Sequence, residues 1–381
     1  MSSIIECKKC LLNNIDDVEL VLDSEGICNY CLEFERDYSK HVFEGENGRL
    51  KLESLLNQMR LRGKKSQYDC LLGVSGGVDS SYLAYLAKKE WNLRVLCLHV
   101  DTGWDSETAV NNINNIIGKL NIDLYTYVID WEEMRDLQIC YFKAGVIDLD
   151  IPTDYGCWAV MNQIAKKFNI KYIISGNNFV TESILPKSWI IPKFDTKNLV
   201  GIHNKFGQIP LKKFPKFHSG IFRFINSSNY IEKVAPLNYI NYNKEIVKKI
   251  LENELGWKDY GGKHYESIFT RFYQGYILPK RYGIDKRKAH LSNLICSNQI
   301  TKEQAIEELK KPIYNPEQCL IDKDYVLKKL GFSEDYFNEL MGMQKNDWRI
   351  YGQEIPLYIR FPFLKMLLPV ITLWRRWLMS I

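Results

Sequence analysis

One eleven-residue string constrains this chain more than any other: Leu71-Leu72-Gly73-Val74-Ser75-Gly76-Gly77-Val78-Asp79-Ser80-Ser81. The apolar run Cys70–Val74 reads as a buried strand. Two glycines interrupt it, and a helical pattern over Ser80–Lys89 begins at once. Gly76 and Gly77 let backbone amides converge on an anion, serines add hydroxyl donors, and the following helix adds the positive end of its dipole. Ser75, Gly76, Gly77, Val78, Asp79, Ser80 and Ser81 are therefore the candidate phosphate contacts. The loop is not a Walker A sequence, because GxxxxGK[ST] is absent, and it is not GxGxxG.

The surrounding pattern repeats the strand–helix theme. Further apolar runs lie at Arg94–Val100, Leu124–Ile129 and Tyr172–Ser175, with helical patterns at Glu107–Leu120 and Trp158–Phe168 between them. That alternation predicts an α/β fold with a parallel sheet and crossover helices. The expected organisation is a cysteine-bearing unit over 1–45, a helical connector over 46–66, the phosphate-loop domain over 67–240 and a mainly helical region over 241–381. In the last region Lys244–Leu255, Lys302–Lys310 and Asp324–Leu330 are the clearest helices. A length of 381 residues, 46% hydrophobic and 25% charged, is ample for this.

Ten cysteines are too sparse for a disulfide scaffold, but four crowd into the first 31 residues. Cys7-x-x-Cys10 and Cys28-x-x-Cys31 are two CxxC knuckles, which bring four thiolates to one point and suit tetrahedral Zn²⁺. Gly26 can supply the turn, and a sheet-like Val18–Leu22 fits a zinc ribbon. A redox CxxC or an iron–sulfur site are the alternatives. Four protein ligands leave no open position, so the expected role of the metal is structural.

The string Ser-Gly-Gly-Val-Asp-Ser resembles the PP-loop of the ATP pyrophosphatases, whose fold is the HUP-like, adenine nucleotide alpha-hydrolase-like sheet. The resemblance implies that ATP binds here and is cleaved between its α and β phosphates. It places His99-Val100-Asp101-Thr102-Gly103-Trp104 near the adenosine, with Asp101 as a nucleotide contact or, alternatively, a cap for the helix near Glu107. It places Ser175-Gly176-Asn177-Asn178 and Thr181-Glu182 near pyrophosphate and Mg²⁺. Gly176 and Asn177 are then pyrophosphate contacts, and Asp79 and Glu182 are the carboxylates suited to a hard cation. Glu182 as a plain surface acid is the other reading.

The knuckles, SGGVDSS, Ile151-Pro152-Thr153-Asp154-Tyr155-Gly156, the stretch Gly256–Ser267 (GWKDYGGKHYES), and Arg271–Gln274 with Leu278–Ser292 together resemble the N-acetyl sugar amidotransferases of the WbpG and PseA type, from Cys7 to about Tyr314. That family converts a sugar acetamido group into an acetamidino group in bacterial surface-polysaccharide, O-antigen lipopolysaccharide or nonulosonic acid biosynthesis. The resemblance implies adenylation of the amide oxygen and attack by ammonia. It also implies a partner glutaminase (HisH-like) joined through a cyclase-type barrel (HisF-like), since no glutaminase is evident in this chain and Ser2 follows Met1. Asp154, expected in a loop at the sheet's carboxyl edge, is a candidate catalytic or substrate contact beside Asp79 and Glu182. Between Arg271 and Lys288, six cations face a lone Asp285. Arg271, Lys280, Arg281, Lys286 and Arg287 thus suit an anionic sugar or nucleotide sugar, with Lys263, His264 and Glu266 as further candidates. A solvated helical face is the alternative for each.

The net charge of +5 is low for a nucleic-acid binder. The rival reading is a PP-loop tRNA thiolation enzyme, for which Cys140 and Cys157, the latter expected in a loop, are the relevant thiols. A non-enzymatic scaffold is a further alternative, opposed by the intact loop. MSSIIECKKC has no apolar core of a secretory signal, so a cytoplasmic location is expected. The apolar segment 360–381, flanked by cations, is expected to pack on the protein, or else to lie against the inner membrane as a peripheral contact.

Overall fold

The computed structural model describes residues 4–217, 231–262 and 265–355. Its centre is a five-stranded sheet of order β3-β2-β1-β4-β5, parallel throughout. The strands are β1 (Cys70–Gly73), β2 (Val95–Asp101), β3 (Asp123–Val128), β4 (Tyr172–Ile174) and β5 (Glu232–Val234). Leu71 is paired on one side with Leu96 and on the other with Ile173. The first four strands stand where the apolar runs placed them. The fifth was not foreseen, because Glu232 and Lys233 are exposed at the sheet edge and carry no apolar signal.

Both faces of the three central strands, β1, β2 and β4, are buried, as parallel sheets require. Leu72, Cys97 and Ile174 point to one face, against α2 (Gly45–Gly63), α3 (Val78–Tyr85) and α4 (Glu107–Leu120). Leu71, Leu98 and Ile173 point to the other, against Val160, Ile164 and Ala165 of α6 (Ile151–Lys167). Ser106 caps α4 by accepting the Ala109 amide at 3.2 Å, and Asn121 ends it in the left-handed conformation. The helix α6 starts two turns before the expected Trp158, with Pro152 in its first turn. Asp154 and Cys157 therefore lie on a helix, not in a loop.

Helix α5 (Trp131–Ala144) had no clear one-sided pattern in the sequence. The reason is that Glu133 and Asp136 are buried on it, each serving backbone amides. Glu133 accepts those of Lys212, Lys213 and Phe214, and Asp136 that of Gln208. Phe142 of α5 packs on Phe269, Phe332 and Phe337, so this helix shares one aromatic core with the C-terminal helices. Those helices are, in order after α7 (Phe179–Glu182) and α8 (Thr196–Phe206), α9 (Lys244–Leu255), α10 (Ile268–Phe272), α11 (Arg287–Cys296), α12 (Lys302–Lys310), α13 (Pro316–Leu330) and α14 (Glu334–Gly342).

The N-terminal unit is two thiol knuckles leading into α1 (Asn29–His41). The sheet-like reading of Val18–Leu22 is corrected: only the isolated bridges Glu6–Asn13 and Leu22–Cys28 form, since the short connection is turned by Asn13, Asp17 and Asp23 side chains accepting nearby amides. Among the described residues no helix is long and apolar enough to cross a membrane. The segment 360–381 lies outside the described residues.

Candidate functional site

Strand order reverses between β1 and β4, and in open α/β sheets ligands bind beyond the strands' carboxyl ends at that point. Here the loops after β1 and β4 meet. A Cβ on Gly176 would come within 2.9 Å of the Asp79 carbonyl carbon and the Ser80 nitrogen, so only glycine permits this contact. A cavity of about 750 Å³ opens above them, walled by Ser75, Gly77, Val78, Asp79 and Ser80 on one side and by Gly176, Asn177 and Glu182 beside them.

The loop after β1 is held from behind. Gly76 has φ of +75°, and its carbonyl accepts the indole N–H of Trp257 at 2.8 Å and the Asn112 amide at 3.3 Å. Gly77 accepts the hydroxyl of Ser80 at 3.2 Å and that of the buried Ser81 at 2.5 Å. Ser81 and Gly76 support the loop and are not on the cavity wall: the Ser81 hydroxyl and the Gly76 carbonyl are spent behind it.

Asp79 accepts the hydroxyl of Tyr242. Burial, and then the Asp79 and Glu182 carboxylates, push that phenol well above its ordinary range, so it stays a donor. The Tyr260 hydroxyl stands 3.1 Å from where a Cβ on Gly77 would lie, with Glu266 Oε1 0.5 Å further out at 3.6 Å. The Tyr260 phenol thus lies against the glycine turn, on the wall of the cavity. Burial first, and then Glu266 and Asp79, raise the Tyr260 phenol too.

The opposite wall comes from the C-terminal helices. Lys286, Arg287, His290, Leu291 and Lys311 line it, and Lys244 and Lys248 flank the phosphate loop from α9. Glu266 is drawn in because its carbonyl accepts the Ser106 amide at 2.8 Å, while Ile268 donates to Trp104 at 2.8 Å. Residues 266–268 thereby pair with the loop after β2.

Several expected residues stand elsewhere. Arg271 forms a buried ion pair with Asp322, whose side chain is 3% exposed, across 2.6 Å. Lys280 is exposed over Tyr276, and Arg281 is buried and donates to the Met343 carbonyl. Asp154 pairs with Lys193 and does not reach the cavity wall. Asp101 accepts the Gly103 amide at 2.7 Å, turning the loop after β2, and lies off the wall. Arg287 does line the cavity, but its five N–H groups go to Asp285 and to the carbonyls of Glu308, Leu309 and Lys311. It ties α11 to the end of α12 and has no donor left for a ligand. Lys263 and His264 lie outside the described residues.

Tyr242, Tyr260, Lys244, Lys248, His290 and Lys311 were not singled out in the sequence. Lys244 and Lys248 carried one signal, two cations one turn apart in the first half of a helix, where the dipole disfavours them. The others share only their convergence in space.

At the N-terminus the sulfurs of Cys7, Cys10, Cys28 and Cys31 lie within 4.8 Å of one another, all buried. Four thiols at this spacing fit Zn²⁺, and no other group of three or more possible ligands occurs among the described residues. The knuckle sits on the segment following Glu182: Trp189 donates its indole N–H to the Asp16 carbonyl at 2.8 Å, and Tyr30 OH accepts the Lys187 amide at 3.1 Å.

Residues 266–365 match the family described as LPS biosynthesis protein WbpG-like, C-terminal domain, and residues 52–138 match NAD synthase. An uncharacterized protein of Methanocaldococcus jannaschii is 22% identical over 81% of this chain and 94% of its own length. A glutamine-hydrolyzing GMP synthase of Chlamydia muridarum is 31% identical over 55% of this chain but only 39% of its own length. An NH3-dependent NAD synthetase structure from Campylobacter jejuni covers 79% of this chain and 98% of its own, at 15% identity and a TM-score of 0.34.

Proposed function

We propose that this chain, a PP-loop protein of the WbpG-like family, is an ATP-dependent amidotransferase that turns a sugar acetamido group into an acetamidino group. The observation that carries this reading is the single cavity in which the phosphate loop faces a wall of Lys286, His290 and Lys311 from the WbpG-like domain. An ATP site and a second, cationic subsite in one chamber suit activation of an anionic acceptor.

The chemistry follows from the weakness of an amide as electrophile. Its oxygen attacks the α-phosphorus of ATP and pyrophosphate leaves, giving an O-adenylyl imidate. Ammonia then adds to the imidate carbon, AMP departs, and a proton is lost, so oxygen is exchanged for NH. In this reading the amides of Gly77 and Val78 and the Ser75 and Ser80 hydroxyls receive the pyrophosphate. Donors already aimed where charge develops need no reorganisation during the step. Asp79 and Glu182 line the same rim, and their carboxylate oxygens suit Mg²⁺, which would neutralise phosphate charge when bound. Lys244 and Lys248 would screen the outer phosphates. Ammonia would come from a separate glutaminase with its cyclase-type subunit.

The thiolation alternative requires a reactive thiol beside the nucleotide. Cys140 sits in the aromatic core, where burial pushes its thiol up to about 12, and burial likewise raises that of Cys157 on α6. Neither is poised as a thiolate. The decisive experiment incubates purified protein with ATP, ammonium and a panel of acetamido nucleotide sugars and nonulosonic acids. AMP release with the mass change of O to NH is expected, and Cys140→Ser with Cys157→Ser should retain it. AMP formation that depends on either cysteine, or none with any acetamido sugar, would overturn the reading.

A further inference from the structure

The four-thiol knuckle touches a fifth cysteine from the far end of the chain. Cys296 is the last residue of α11, is buried, and aims its S–H at Cys31 Sγ across 3.5 Å. It is not one of the four sulfurs that lie mutually within 4.8 Å, so it stands beside the tetrad and not in it. Around it the same two elements are joined repeatedly. Leu11 donates its amide to Ser292 Oγ at 3.2 Å and Lys288 pairs with the buried Asp16 at 2.8 Å, and from the start of α12 Lys302 donates to the Cys7 carbonyl at 2.7 Å. Asn293, fully buried on α11, accepts the Ile184 amide at 2.8 Å and donates to its carbonyl at 3.0 Å, holding the segment just after Glu182. The cavity side of this same helix carries His290, Leu291 and Leu294.

We infer that Cys296 is an outer-sphere positioning thiol of the knuckle's metal centre, donating its S–H to the Cys31 thiolate and so tying metal occupancy to the helix that forms the cationic wall of the cavity. The inference rests on the reading that the tetrad holds zinc. A hydrogen bond to a metal-bound sulfur disperses its charge and fixes its direction, and losing such a partner costs about 10–100-fold in metal affinity.

The test uses the full chain, as wild type, Cys296→Ala and Cys296→Ser. Three quantities are measured: zinc per chain, the rate of zinc transfer to a chromophoric chelator, and the thiolate charge-transfer spectrum after cobalt substitution. All three proteins should hold one zinc and show a four-thiolate cobalt spectrum. Cys296→Ala should release zinc about 10-fold or more faster and shift the charge-transfer band, while Cys296→Ser, whose hydroxyl still donates, should fall between. Chelation should raise amide hydrogen exchange over 287–296. Equal release rates and spectra in all three proteins would overturn the inference. So would a cobalt spectrum that loses one thiolate's intensity in Cys296→Ala, since Cys296 would then be a ligand. Wild-type protein that takes up neither zinc nor cobalt would overturn the zinc reading itself.

Discussion

The two walls of the cavity differ in how far apart in sequence their parts lie. The phosphate-loop wall is made by near neighbours in the chain, Ser75 and Gly77 to Ser80, from the turn after β1 and the start of α3. The facing wall gathers Tyr260, Glu266, Lys286, His290 and Lys311 from separate segments. A local wall needs only a strand, a glycine turn and a helix start, and all three have sequence signatures. A non-local wall needs a decision, for each cation, between ligand and internal partner. Arg271 and Arg287 went to internal partners, because a guanidinium drawn in from solvent takes whatever acceptors are within reach, and Arg281 is buried with a bond to the Met343 carbonyl.

The sharpest break between loop and support is a glycine pair. Gly77→Ala should put a methyl 3.0 Å from Ser75 Oγ and 3.1 Å from the Tyr260 hydroxyl, at the cavity face of the turn. We expect about 10²-fold loss of AMP formation with an almost unchanged melting temperature. Gly76→Ala should do the reverse in kind. Its φ is +75° and its Cβ would meet the Ala109 carbonyl oxygen at 2.5 Å, so a stability loss of roughly 1–3 kcal/mol is expected in denaturant titration.

The next comparison lies within the basic segment. Arg271→Ala leaves Asp322 buried without its cation and should cost about 3–5 kcal/mol of stability. Lys286→Ala should leave stability intact and raise KM for the proposed anionic acceptor, by about 10-fold or more if one charged contact of roughly 1.5–3 kcal/mol is lost. A KM effect from Lys280→Ala equal to that of Lys286→Ala would erase the distinction, since Lys280 is exposed away from the cavity.

The smallest expected effect is in pH. Asp150 is buried and accepts the Thr270 hydroxyl at 3.1 Å; burial, and then Asp148 and Asp154, raise its carboxyl to about 7. The neutral form is the one the fold favours. Its stabilising contribution is full below the ordinary carboxylate range and is lost as pH rises through about 7. Asp150→Asn should therefore melt higher than wild type, with an advantage that grows from about pH 5 to about pH 8. A gain independent of pH would show that charge on Asp150 is not the cause.

The strands β1 to β4 were legible because each is a short apolar run bounded by turn residues, and α4, α9 and α12 because their caps and periodicity agree. Helix α5 was not, because Glu133 and Asp136 break its apolar face for reasons that appear only when the 208–214 loop folds against it. Asp154 and Cys157 were misplaced for a related reason. Pro152 reads as a loop signal, yet it opens α6, where a missing amide proton has no cost. Cys296 carried no signal at all, since its meaning depends on Cys31, 265 residues away.

Sequence alone determined the phosphate loop, the parallel α/β class and the two thiol knuckles. Each is encoded by residues close together in the chain, where backbone geometry and ligand spacing are local matters. Tertiary structure decided which cations face the cavity, placed two tyrosines beside the phosphate loop, and set a fifth thiol against the four. Those outcomes turn on which distant groups compete for the same donor, and that competition exists only once the helices have packed.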